Sequence, residues 1–127
     1  MATLLITHAD FLDHDTGFGH PERPERMRAI DKVLAHESYN ALTRAEAPLR
    51  DDVEDAILRV HPEDHLNRIK RTGEVAKKRN GGMNLDGDTV MSAGSMDAAL
   101  RAVGAGLDAV DEVMAGRFAN AFCKVRP

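Results

Sequence analysis

Apolar residues fall along this chain in short blocks, and the spacing within each block indicates an element. Leu4-Leu5-Ile6-Thr7 is a continuous apolar run with a β-branched end, bounded by the polar stretch from His8 to Gly19. It reads as a buried strand followed by a loop. Behind Pro24, which suits a first helical position, Met27, Ile30, Val33 and Leu34 recur at helical spacing, while Glu22 and Glu25 put negative charge at the positive end of the helix dipole. A helix over 24–36 is predicted. Residues 44–49 form a strand candidate, closed by Pro48 and the capping pair Asp51-Asp52.

Val53, Ala56, Ile57 and Val60 share the next helical face, and His61-Pro62-Glu63-Asp64 repeats the start signal ahead of Leu66 and Ile69. Two short helices are therefore expected to meet at His61. From Lys70 to Asn80 the chain is basic, and Gly81-Gly82 follows, a composition that predicts a charged, solvated loop. Ser95 can cap a helix whose lined face is Met96, Ala99, Leu100, Val103, Leu107, Val110 and Met114, with Gly116 as its stop. At about 20 residues this helix is about 30 Å long. Gly104 and Gly106 each cost it about 1 kcal/mol against Ala, which points to a close neighbour against the backbone. Ala119 to Val125 is apolar enough for a further buried strand. The order strand, helix, strand, helices, strand is that of an α/β fold with a parallel sheet and right-handed crossovers.

The 127 residues are 43% hydrophobic and 30% charged, the balance of a globular chain, but with no Trp and 4% aromatics the core must rely on Leu, Val, Ile, Met and Ala. Seventeen Lys and Arg against 21 Asp and Glu leave a net charge of -4. The signs are interleaved, which argues against a phosphate-binding footprint and against nucleic acid as a direct ligand. Cys123 is alone, so no internal disulfide is expected, and its apolar setting suggests an inert thiol. No apolar stretch approaches about 18 residues and no basic-then-hydrophobic leader opens the chain. Neither a membrane span nor a signal peptide is expected, and a cytoplasmic setting follows.

Four groups of residues could carry chemistry. His8, Asp10, Asp13, His14, Asp15 and His20 are ligand types that suit zinc, but their spacing matches no defined motif, and a polar loop with local turns explains them as well. Asp86, Asp88 and Thr89 resemble half of a cation loop, yet Val90 and Met91 interrupt the pattern calcium needs. His61 and His65 lie four apart without the intervening Glu of the metalloprotease pattern, so capping or packing is expected of His61. The segment His20-Pro21-Glu22-Arg23-Pro24-Glu25-Arg26 is a well-marked helix start, in which Arg26 alone reads as a surface ion-pair residue.

Taken together, His20 to Arg26, the run Asp86-Gly87-Asp88-Thr89-Val90-Met91-Ser92 and the closing Asn120-Ala121-Phe122-Cys123-Lys124-Val125-Arg126-Pro127 resemble the histone deacetylase, acetoin-utilisation and acetylpolyamine amidohydrolase family of bacterial type. The resemblance implies the N-terminal part of an arginase/deacetylase-like fold: a few parallel strands at one sheet edge flanked by helices, helix-rich overall. It implies that residues 1–127 are a single partial domain ending before the catalytic His pair. The parent would be a zinc-dependent hydrolase acting on acetyl-lysine or acetylpolyamine amides. Zinc belongs to that parent, whereas this chain has no catalytic residue and no metal ligand in the family pattern, so no cofactor and no activity are expected of it. By resemblance Asp88 accepts hydrogen bonds from the substrate's backbone amides, and Arg26 lines the inner channel, where a fixed cation can hold a released carboxylate. Two other readings remain: a non-catalytic truncated unit that forms homo-oligomers through an exposed sheet edge, and a metal-binding module built on the loop from His8 to His20.

Overall fold

The computed structural model describes residues 1–126; Pro127, the second half of the Arg-Pro pair, lies outside them. Its strands are β1 (Thr3–Thr7), β2 (Thr43–Glu46), β3 (Met83–Asn84), β4 (Val90–Met91) and β5 (Asn120–Cys123). Its helices are α1 (Pro24–Leu34), α2 (Val53–Leu58), α3 (Glu63–Arg79) and α4 (Ser95–Met114). Strand β1 stands in the middle of a parallel sheet of order β2-β1-β5, with Leu4 opposite both Thr43 and Ala121 and Ile6 opposite both Ala45 and Cys123. Elements cover both of its faces, so Leu4, Leu5 and Ile6 are all buried, and the run is continuous rather than alternating. The α/β class with parallel strands flanked by helices is thus the observed one. None of the described helices is long and apolar enough to cross a membrane.

Helix α4 meets the core with small residues. Ala98, Ala105 and Ala109 join Leu4, Ile6, Phe11 and Met27 in one buried cluster. The predicted face is a different one: Met96, Leu100 and Val103 turn toward Ile57, Leu66 and Ile69 of α2 and α3, and Val110 and Met114 stay exposed. Small side chains let the helix axis approach the sheet, which a row of Leu and Met would prevent. The close neighbour expected at the glycines exists at Gly104, where an added Cβ would sit 2.5 Å from the Pro48 carbonyl oxygen; at Gly106 there is open space.

The basic segment 70–80 is not a loop. It is the second half of α3, which buries Gly73 and Ala76 and faces water with its lysines and arginines. Lys77, Lys78 and Arg79 occupy the last turn, where cations favour the negative end of the helix dipole. The helix stops at Asn80 in the left-handed region, φ 49°, with the Gly81 N–H returning to the Ala76 carbonyl. Gly116 ends α4 as predicted, at φ 75°, with Arg117 N–H bonded to the Glu112 carbonyl. Ser95 is the first helical residue rather than the cap, which is Gly94. Cys123 donates from Sγ to the Ala105 carbonyl at 3.5 Å, and burial, with a smaller push from Asp108, raises its thiol above the usual range. An inert thiol fits that environment.

Candidate functional site

The stretch after β1 is more ordered than its composition suggests. His8 accepts the Asp10 N–H through Nδ1 at 3.0 Å and so starts a 3-10 turn over Ala9–Asp13. That turn drives Phe11 into the core with no exposed surface. Arg101 of α4 clamps it, with Nε donating to Asp10 at 2.6 Å and a second nitrogen to the Ala47 carbonyl at 2.8 Å. Further on, His14 Nδ1 lies 2.6 Å from Ser95 Oγ, and Ser92 Oγ donates to the Asp13 carbonyl at 3.0 Å. Gly94 is required at this join, because a Cβ there would sit 2.5 Å from that of Asp13. A cavity of about 700 Å³ opens beside it, lined by Asp13, Asp15, Thr16, Gly82 and Ser92.

These contacts scatter the imidazoles. His8 caps, His14 meets Ser95 and His20 turns elsewhere, and among the described residues no three His, Cys, Asp or Glu side chains are placed to hold a metal ion. The donors present in the 8–20 loop therefore do not fit a zinc centre. His61 and His65 stack on each other, ring centroids 4.9 Å apart, over the groove between α3 and α4.

Asp88 stands in the turn joining β3 to β4, two-residue strands that the apolar pattern did not announce. Asp86 Oδ1 accepts the N–H groups of Asp88 at 3.1 Å and Thr89 at 2.9 Å. The Asp88 N–H first, and then a hydrogen bond from the Thr89 side chain, hold the Asp86 carboxyl below the usual carboxylate range. Asp86 is thus committed to the turn, while Asp88 is exposed. Across 68 positions, His20 Nε2 meets the Asp88 carbonyl at 2.8 Å, and His20 Nδ1 accepts the Glu22 N–H at 3.0 Å. Two of the three segments that carried the resemblance are therefore in contact.

Arg26, exposed in the first turn of α1, borders a cavity of about 330 Å³ together with Met27, Ile30, Phe122, Lys124 and Arg126. Lys124 and Arg126 were not candidates from the sequence. Lys124 is 5% exposed and ion-paired with Asp31 of α1. Arg126 donates to Glu22 at 2.7 Å, and His14 Nε2 lies 3.7 Å from the same carboxylate oxygen. Two of the three cations beside this hollow, Lys124 and Arg126, are thus already paired with carboxylates. Nothing in the local spacing places Lys124 beside α1; that contact spans 93 positions and comes from the pairing of β5 with β1.

Comparison with known proteins agrees with this architecture. The Histone deacetylase domain model matches residues 20–127, and the chain belongs to the histone deacetylase family. It is 38% identical to an uncharacterised protein of Synechocystis sp. over 97% of its own length and 39% of that protein's. It is 31% identical to a probable deacetylase of Archaeoglobus fulgidus, over 100% of this chain and 34% of the relative. A histone deacetylase-like amidohydrolase of Pseudomonas aeruginosa is 36% identical over 86% of this chain and 27% of its own. The solved HD domain of HDA15 superimposes with a TM-score of 0.81 at 25% identity, covering all of this chain and 36% of that one. The chain thus spans about a third of the length of these three relatives.

Proposed function

We propose that these 127 residues form the N-terminal portion of a zinc-dependent deacetylase acting on acetyl-lysine or acetylpolyamine amides, as one partial domain of that enzyme. The observation that carries the reading is the hydrogen bond from His20 to the Asp88 carbonyl, since it joins the segment bearing Arg26 to the one bearing Asp88. Asp88, exposed at the tip of its turn, accepts amide protons from the substrate, and Arg26 steadies a departing carboxylate. The donors described here do not fit the metal, so no hydrolytic step is assigned to these residues. A reducing cytoplasmic setting suits the single thiol. The acidic balance gives nucleic acid no footprint.

Alone, the purified 127-residue chain is expected to release no acetate from an acetyl-lysine peptide after incubation with zinc. Turnover above a matched blank, abolished by chelator, overturns this reading.

A second reading, self-association, is favoured by the outer edge of β5. Among the described residues β5 pairs only with β1, and Phe122 on it is 52% exposed. Unpaired edges invite another strand. Light scattering across a dilution series is expected to show dimers or larger species, and a constant monomer mass removes the idea.

A further inference from the structure

The turn that carries Asp88 is closed locally, with the Leu85 N–H bonded to the Thr89 carbonyl at 2.8 Å, and Arg68 and His20 tie it to the rest of the molecule. Gly87 has no atom within 4 Å of where a side chain would start, and the turn's base is tied to α3 by Arg68, which donates to the Leu85 carbonyl. At the tip, Asp86 fixes the N–H of Asp88, and His20 fixes its carbonyl. Both backbone polar groups of Asp88 are thereby restrained, leaving mainly side-chain rotation to decide where its carboxylate points.

His20 is equipped for this role by its own partners. A backbone N–H can only donate, so the bond from Glu22 leaves Nδ1 without a proton. A carbonyl can only accept, so Nε2 must carry one. One neutral tautomer satisfies both. The ring rides on a frame fixed at several points: the Glu22 carbonyl accepts the buried Thr16 hydroxyl, the Glu22 carboxylate holds Arg126, and His14 meets Ser95 eight positions before Glu22.

We propose that His20 is a positioning residue for Asp88, carrying the order of the loop before α1 across to the rim turn. The inference rests on the proposed substrate role of Asp88 for its functional meaning, but its physical content stands on the 127-residue chain alone. Imidazole nitrogen spectra of the wild-type chain at neutral pH are expected to show His20 as the tautomer with Nε2–H and bare Nδ1. In His20→Ala the Asp88 and Thr89 amide signals are expected to move while those of Met27 and Ala105 stay in place. His20→Gln, whose side-chain amide can still donate, is expected to restore them in part. A proton on Nδ1 in the wild type, or unmoved Asp88 and Thr89 amides in a folded His20→Ala, overturns the proposal. If His20→Ala does not fold, the wild-type tautomer decides. In a deacetylase carrying this segment, His20→Ala is expected to raise KM about five-fold with kcat little changed, the size expected for loss of one ordinary hydrogen bond. Asp88→Asn with unaltered KM there removes the substrate role alone, because the link to His20 is read from amide signals and not from turnover.

Discussion

Gly104→Ala is expected to lower the stability of this chain by about 2 kcal/mol, while Gly106→Ala, two positions along the same helix, raises it by about 1 kcal/mol. Helix propensity alone makes both changes favourable, since Ala loses less backbone entropy than Gly. At Gly106 nothing lies within 4 Å of the new carbon and propensity decides. At Gly104 the new carbon would stand 2.5 Å from the Pro48 carbonyl oxygen, and that neighbour is backbone, which cannot swing aside. Either α4 or the segment after β2 must retreat, opening the contacts of Ala105 and Ala109 with the core. The penalty for forcing a well-packed interface apart, about 1–3 kcal/mol on top of the propensity gain it must cancel, wins. Thermal unfolding of the two variants against wild type checks the signs, with about 4 °C of midpoint shift for each kcal/mol. A midpoint for Gly104→Ala at or above that of wild type would show that the helix seats less closely than described.

The same two glycines show where the sequence was legible and where it was not. Elements with strong local signals were readable: β1 from its unbroken apolar run, α1 from Pro24 and its acids, and the end of α4 from Gly116. Misreadings came where small residues do the packing. Gly73 and Ala76 are the buried side of α3, but among lysines and arginines they form no apolar stripe, so that half-helix looked like a loop. In α4 the conspicuous Leu, Val and Met residues mark the side toward α2 and α3, and the core side is alanine. A moment computed from side-chain size points to the wrong face whenever a helix must lie close to a sheet. As for the site, resemblance singled out Asp88 and Arg26, but neither the bond from His20 to Asp88 nor the company of Lys124 and Arg126 could be read from spacing. Those contacts close loops of 68 and about 100 residues, and only the fold creates them.

Phe11→Ala is expected to be the most damaging single change, costing about 3–5 kcal/mol. Phe11 and Phe18 stand in one polar stretch, yet Phe11 has no exposed surface and Phe18 is 110% exposed. The difference arises from the 3-10 turn that His8 starts and Arg101 clamps, which points Phe11 at Leu4, Ile6, Met27 and Ala98. Truncating it leaves a ring-sized hole between the sheet, α1 and α4, too central for any one element to collapse into. A domain of this size has roughly 5–15 kcal/mol of stability in total, so up to half or more is at stake. Phe18→Ala, by contrast, is expected to stay within about 0.5 kcal/mol. Urea titration should show a large fall in midpoint for Phe11→Ala at unchanged slope, and Phe11→Leu, which keeps most of the volume, should lose about 1.5 kcal/mol or less. The loss is also functional, because the turn around Phe11 anchors the loop on which His14 and His20 are carried. Amide exchange in residues 8–20 and 86–89 is therefore expected to quicken together in Phe11→Ala well below the unfolding midpoint. Quickening confined to 8–20, with 86–89 as protected as in wild type, would show that the Asp88 turn keeps its place without the loop.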